Sequence, residues 1–84
     1  MSLDEIKKAL NDKNLTVGNE RVLKKAKVGK LKKVLIAKNC KEDIVKDLEY
    51  YARINKFEII RLDENNEEIG TICKKPFMIS VLGY

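Results

Sequence analysis

Apolar residues recur at helical spacing near the N-terminus of the chain. Leu3, Ile6 and Leu10 lie three or four positions apart and predict a first helix. Ser2 begins a capping-box spacing, in which a serine and a glutamate three residues later satisfy free N–H groups at a helix start. We expect this helix to end near residues 12–14.

A second amphipathic stretch carries mostly basic residues on its polar side. Val22, Leu23 and Ala26 predict a helix over residues 19–28, with the basic side chains on the remaining surface. Gly29 comes next, and glycine commonly follows a helix because it adopts the left-handed conformation without strain.

The third apolar stripe predicts a helix over residues 42–54. Ile44 and Tyr51 belong to this stripe, so we interpret both as core residues. Ile69 and Ile72 predict a further, short helix after a polar turn.

An uninterrupted run of aliphatic residues at 34–37 is typical of a strand buried on both faces. Residues 15–17 form a short extended segment, and residues 57–62 and 77–82 are also predicted as strands. Because helices and strands alternate, the pattern favours an α/β fold, a three-layer α/β/α sandwich with a mixed central sheet. We expect residues 1–84 to form a single domain.

Loops that leave the carboxyl ends of strands gather at one end of such a sheet. Three segments are therefore expected to meet there, at residues 17–24, 37–41 and 74–77. Each carries basic or hydrogen-bonding side chains.

Charge is distributed unevenly along the 84-residue chain, whose net charge is +5. Residues 1–41 hold twelve basic and four acidic side chains, whereas residues 42–84 hold six and nine. Nine basic residues lie between Arg21 and Lys41 without a single carboxylate. This excess predicts a polyanionic partner.

The residues that most enzymes use are scarce in this sequence. The chain has no histidine, which is the commonest proton-transfer side chain and metal ligand. Its two cysteines, Cys40 and Cys73, have the spacing of neither a redox pair nor a zinc site. We therefore expect no catalysis, no metal and no cofactor.

Two features of the sequence bear on location. The longest near-continuous apolar stretch, residues 77–82, is far shorter than the roughly 18 to 20 residues that cross a bilayer. The N-terminus is acidic, unlike a signal peptide. We expect a cytoplasmic protein that does not associate with membranes.

Residues 18–21 lie at the predicted start of the second helix, where free N–H groups and the positive end of the helix dipole attract phosphate. Gly18 would let an RNA backbone approach, Asn19 and Arg21 would donate to phosphates or base edges, and Glu20 would accept from an exocyclic amine. The alternative is structural, with Asn19 as a helix cap and Glu20 as a complement to the dipole.

Three further positions have both a functional and a structural interpretation. Lys24 either contacts an RNA phosphate or belongs to a solvated face. Asn39, in the turn after the buried strand, either reads a base edge or caps the next helix. Phe77 follows the basic, proline-containing segment 74–76, where it either covers an unstacked base or begins the core.

Several short motifs, in this order, resemble the L30e branch of the L7Ae family of archaeal and eukaryotic RNA-binding ribosomal proteins. They cover about residues 17–82. They are Gly18 with Lys24 six positions later, Gly29-Lys30, Lys38-Asn39-Cys40, Asp47-Leu48-Glu49-Tyr50-Tyr51-Ala52, Glu68-Ile69-Gly70-Thr71 and Pro76-Phe77.

The resemblance implies an α/β/α fold that binds kink-turn or similar internal-loop RNA, with sheared G·A pairs against the start of the second helix. The contacts that it implies come from the glycine-led turn, the turn after the buried strand and the loop before the last strand. They are Gly18, Asn19, Glu20, Arg21, Lys24, Lys38, Asn39, Phe77 and Ile79.

We therefore expect an RNA-binding protein of the large ribosomal subunit, ribosome-associated in the cytoplasm and monomeric outside the ribonucleoprotein. Two alternatives stay open. One is a free-standing, kink-turn-binding paralogue. The other is a protein-interaction adaptor of the same fold whose working surface is the acidic segment 63–68.

Overall fold

The computed structural model describes residues 2–84, with side chains from Asp4 onward. The side chains of Ser2 and Leu3, which belong to the predicted capping box and first apolar stripe, lie outside the described residues. Within this range four helices and four strands alternate. They are α1 (Ser2–Leu10), β1 (Thr16–Val17), α2 (Asn19–Lys27), β2 (Lys33–Ile36), α3 (Glu42–Asn55), β3 (Glu58–Arg61), α4 (Asn66–Ile72) and β4 (Val81–Gly83).

The four strands form one mixed sheet in the order β1-β4-β2-β3. β2 and β3 are parallel, whereas β4 runs antiparallel to both of its neighbours, β1 and β2. Because β4 is reversed, its amino end lies beside the carboxyl ends of β1 and β2. This arrangement determines which loops meet.

Helices cover both faces of the sheet. On one face, α2 and α3 bury residues such as Val22 and Leu48 against the β2 side chains of Val34 and Ile36. On the other face, α1 and α4 pack against the alternate β2 residue Leu35. Successive side chains of β2 therefore point into two separate cores. The predicted three-layer sandwich with a mixed sheet is confirmed.

The last strand is shorter than its apolar pattern predicts. Residues 77–82 were expected to be extended, but β4 spans only Val81–Gly83 and the preceding residues form a loop. The reason is a contact with α4. The N–H of Ile79 donates to the carbonyl of Asn66 (3.0 Å) instead of joining the sheet, and Phe77 and Met78 remain exposed.

The end of α2 is stabilised by both local and long-range hydrogen bonds. Gly29 has φ +72°, and the backbone bonds Gly29 N–H to Ala26 O and Lys30 N–H to Lys25 O close the helix. The Asn55 amide, from the end of α3, donates to Ala26 O at 2.6 Å. Gly29 therefore ends the helix as the sequence predicts, and Asn55 ties two helix ends together.

Candidate nucleic-acid interface

The strand order brings two of the predicted RNA-contact segments to one edge of the sheet. Val17 of β1 pairs with Leu82, so the turn at Gly18 lies next to the start of β4. The Gly18 N–H donates to Val81 O (3.0 Å). The Gly18 turn is therefore hydrogen-bonded to the segment that follows the Phe77 loop.

The third segment, after β2, reaches the same edge. Ile36 pairs with Val81, and the N–H of Ala37 donates to the carbonyl of Ser80 at 2.8 Å. Residues 38 and 39 follow directly, and both side chains are exposed. The structure thus brings together the three segments that the sequence places far apart.

A cleft of about 480 Å³ opens between the Gly18 turn and the loop before β4. It combines two cations and an aromatic ring with exposed backbone, and none of its described lining residues is a carboxylate. The lining residues are Val17, Gly18, Asn19, Arg21, Lys75, Phe77, Met78, Ile79 and Ser80. A cleft of this composition attracts anions.

Gly18 shapes one wall of the cleft through its backbone. Its φ of 109° and ψ of 148° lie where only glycine is unstrained. A Cβ built there would meet no atom within 4 Å, so the space above Gly18 is open. Gly18 is also the N-cap of α2, and no side chain caps this end. The structural alternative for Asn19 is therefore wrong, since Asn19 is the first helical residue.

The opposite wall is held by close packing on α4. A Cβ on Gly70 would lie within 2.2 Å of the Phe77 carbonyl oxygen, so only glycine lets the loop backbone approach the helix here. Lys74 takes the left-handed conformation (φ 58°) as the chain leaves α4. Phe77 and Met78 then project into solvent with 55% and 65% of their surface exposed. The aromatic ring at the rim is thus available for stacking, and its alternative role in the core is wrong.

Asn39 does not cap the helix that follows it. The N-cap of α3 is Lys41, which makes no side-chain cap bond. Instead, the Asn39 side chain bonds to Asn66 at the start of α4, accepting from its N–H at 2.9 Å and donating to its Oδ1 at 3.1 Å. Asn39 is therefore oriented by a residue 27 positions away.

The nine predicted contact residues occupy different places around this edge. Five of them line the cleft: Gly18, Asn19, Arg21, Phe77 and Ile79. The other four do not line it but are exposed: Glu20 and Lys24 on α2, and Lys38 and Asn39 in the turn after β2. Ile79 is 1% exposed and packs in the core, so its side chain offers a ligand little surface.

Four residues that line the cleft are not among the predicted contacts. Val17 ends β1, and Lys75, Met78 and Ser80 belong to the loop before β4. The basic pair that precedes Pro76 is the sequence signal that could have indicated Lys75 as a cleft residue. Met78 and Ser80 had no such signal, because their segment has the pattern of a strand.

The described residues offer no evident catalytic or metal chemistry. Burial raises the pKa of the Cys40 and Cys73 thiols above the ordinary value, so both stay protonated and unreactive near neutral pH. Within residues 2–84 no cluster of three or more metal-ligating side chains occurs. In the same part of the chain, no helix has the length and apolarity that a membrane span requires.

The chain is a small, basic α/β/α protein with a cationic cleft at one edge of its sheet. This chain belongs to the ribosomal protein L7Ae/L30e/S12e/Gadd45 family, whose sequence model matches residues 2–84. The predicted family is thereby confirmed.

Two archaeal relatives illustrate the similarity. The large ribosomal subunit protein eL30 of Sulfurisphaera tokodaii is 35% identical over 94% of this chain and 74% of its own length. The protein of the same name from Methanothermobacter thermautotrophicus is 34% identical over 98% of this chain and 85% of its own length.

Solved structures share the fold at lower identity. A Bacillus halodurans protein of unknown function superposes with a TM-score of 0.80 and 20% identity, over 96% of this chain and 80% of that one. The Giardia lamblia 15.5kD RNA binding protein gives a TM-score of 0.73 and 18% identity, over 96% and 68% of the two chains.

Proposed function

We propose that this protein is a non-enzymatic RNA-binding component of the large ribosomal subunit, which binds kink-turn or similar internal-loop RNA at the cleft. The observation that carries the proposal is the meeting of three sequence-distant segments at one edge of the sheet. Two of them line a cleft whose charged lining residues, Arg21 and Lys75, are both basic.

The cleft offers distinct groups to different parts of a bent RNA. Arg21 and Lys75 suit phosphate oxygens, because guanidinium and ammonium groups donate to anions with charge-assisted bonds. The open space above Gly18 admits a sugar–phosphate backbone. The exposed ring of Phe77 suits stacking on a base that has left its helix, a feature of sequence-specific RNA recognition.

The relatives support the same partner. Those named large ribosomal subunit protein eL30 cover most of this chain at more than 30% identity. One structural neighbour is titled an RNA binding protein. The cationic cleft is a physical reason for this protein to share that partner.

Binding to a kink-turn RNA, compared with a version that lacks its sheared G·A pairs, tests the specific part of the proposal. At about 0.15 M salt, where long-range electrostatics is screened beyond about 8 Å, we expect the intact kink-turn to bind more tightly. Equal affinities would show that the protein binds RNA only through charge.

Ribosome association has its own test. We expect the protein to sediment with large ribosomal subunits when a cell lysate is fractionated. Migration away from subunits, with kink-turn binding retained, would instead identify a free-standing paralogue. Failure to bind heparin and RNA would favour the adaptor that uses residues 63–68.

A further inference from the structure

Asn66, the first residue of α4, connects the turn after β2 with the loop before β4. Its N–H and Oδ1 bond to the two polar atoms of the Asn39 amide at 2.9 and 3.1 Å. Its carbonyl accepts from the N–H of Ile79 at 3.0 Å, and its Nδ2 donates to Ser80 Oγ at 3.4 Å. One side chain and its peptide groups therefore touch two of the three segments at the interface.

These bonds determine which way the Asn39 amide points. A backbone N–H can only donate, so the atom of Asn39 that faces the N–H of Asn66 must be the carbonyl oxygen. The Asn39 Nδ2 then faces the Oδ1 of Asn66 and donates to it. The side-chain nitrogen of Asn66, Nδ2, donates in turn to Ser80 Oγ. The chain of bonds has one consistent direction of donation.

The bonds to Asn66 leave part of the exposed Asn39 amide unused. An asparagine side chain has two N–H donors and two acceptor lone pairs. Asn66 engages one donor and one acceptor, so one of each remains for a ligand. The bonds to Asn66 fix the directions of this remaining donor and acceptor, and each can form one hydrogen bond to a base edge.

We infer that Asn66 is a positioning residue for RNA recognition, which holds the Asn39 amide in the orientation that reads a base and couples it to the loop that carries Phe77. The inference rests on the proposed function. Asn66 itself need not touch the RNA, since it acts through Asn39 and Ser80.

The competing explanation is that Asn66 only helps α4 to begin. The adjacent residue already serves that purpose, because Asn65 is the N-cap and forms a capping box with Glu68 through bonds of 2.8 and 3.0 Å. Asn65→Ala therefore weakens the start of α4 without removing a bond to Asn39. It is a matched control for Asn66→Ala at the neighbouring position.

The experiment measures the ratio of affinities for the kink-turn RNA and its G·A-lacking version. We expect Asn66→Ala to reduce this ratio about fivefold, the equivalent of one net hydrogen bond. Asn65→Ala should lower the melting temperature but leave the ratio unchanged. Adding Asn66→Ala to Asn39→Ala should have no further effect on the ratio, since both substitutions interrupt one chain of contacts.

Asn66→Asp supplies a rescue. Aspartate keeps the N–H and an acceptor for Asn39 Nδ2, so the affinity ratio should return to the wild-type value. The added negative charge should weaken binding of both RNAs alike.

The outcomes separate this role from the proposed function. A wild-type protein that discriminates, together with an unchanged ratio for Asn66→Ala, overturns the positioning role alone. So does an equal loss of discrimination in Asn65→Ala, or additivity with Asn39→Ala. A wild-type protein that binds both RNAs equally overturns the kink-turn function and this role with it.

Side-chain NMR of the free protein gives a readout that requires no RNA. We expect the Asn39 amide resonances to shift in Asn66→Ala and to stay in place in Asn65→Ala. Unchanged Asn39 resonances in Asn66→Ala would contradict the inference, whatever the RNA affinities are.

Discussion

Gly18 is the residue of the cleft whose backbone conformation tolerates substitution least. With φ at 109°, alanine there carries backbone strain, although its Cβ would meet no atom within 4 Å. We expect Gly18→Ala to lower the free energy of unfolding by about 1 to 3 kcal/mol and also to weaken RNA binding, because the methyl group occupies space left for the ligand. Urea denaturation and an RNA titration measure the two effects.

Gly29→Ala is the matched control for Gly18→Ala. Gly29 also has a positive φ, +72°, but it lies at the opposite end of α2. Its substitution should cost about 1 to 2 kcal/mol of stability and leave RNA affinity unchanged. If both variants lose affinity in proportion to stability, the cleft above Gly18 is not where RNA approaches.

Lys24 tests the contribution of α2 to phosphate binding. Its side chain is exposed on α2, three residues after Arg21. Lys24→Ala should weaken binding of intact and G·A-lacking RNA alike and reduce the slope of log affinity against log salt by about one unit. The control is Lys8→Ala. Lys8 is exposed on α1, which packs on the other face of the sheet, so its substitution should leave the slope unchanged.

At the scale of elements, Gly70 determines how closely the loop before β4 packs on α4. An alanine there would bring its Cβ within 2.2 Å of the Phe77 carbonyl, so the loop backbone must move. We expect Gly70→Ala to destabilise the protein by about 1 to 3 kcal/mol and to reduce RNA affinity by displacing Phe77 and Lys75. Changes in amide chemical shift that are confined to residues 74–80 and α4 would confirm the displacement. Unchanged resonances there would contradict it.

The ends of α2 and α3 depend on one side chain. The Asn55 amide donates to Ala26 O at 2.6 Å and to Lys27 O at 3.3 Å, two of the last carbonyls of α2. Ala26 O also accepts from the Gly29 N–H at 3.3 Å. Asn55→Ala should therefore cost about 1 kcal/mol, and Asn55→Asp more, because a carboxylate would face the negative end of α2. Thermal unfolding measures both, with the exposed Asn11→Ala as a control expected to be neutral.

At the scale of the whole molecule, the two buried cysteines make stability depend on pH. Burial raises the folded pKa of Cys40 and Cys73, so the folded state holds protons that the unfolded state releases. Stability is then complete below the unfolded thiol pKa, about 8.5, and falls as pH rises toward the higher folded value. Replacing both cysteines by alanine should flatten this decline above about pH 8.5, as measured by urea denaturation. An identical decline in the double variant would show that the two thiols do not cause it.

The charge asymmetry of the chain also becomes a property of the whole molecule. The segment between Arg21 and Lys41 has no carboxylate in sequence. The fold supplies none to the lining of the cleft either, among the described residues that form it. The cleft is therefore cationic through Arg21 and Lys75, one from each half of the chain, whereas Lys33 lies at the other end of β2.

Much of the architecture follows from local pattern. The 34–37 run predicts a buried strand, and β2 spans Lys33–Ile36. The stripe at 42–54 predicts a helix that spans Glu42–Asn55. These predictions succeed because the spacing of apolar side chains and the turn-forming residues act over a few neighbouring positions. A strand covered by helices on both faces needs apolar side chains on both faces, wherever it lies in the chain.

The loop at residues 77–80 shows where pattern fails. Its apolar residues predict a strand, yet the carbonyl of Asn66 and the absent side chain of Gly70 hold the backbone against α4. The partner of Asn39 was likewise not predicted from its neighbours, since that partner lies 27 positions away.

The sequence by itself thus determined the order of helices and strands, the two apolar faces of the sheet and the basic character of one half. Periodicity and charge are properties of neighbouring residues, so they can be read without coordinates. Contacts between distant elements fix where β4 begins, which way Asn39 points and that Lys75 and Arg21 line one cleft. Those outcomes depend on contacts between residues remote in sequence, and these form only when the reversed strand β4 brings three loops to one edge.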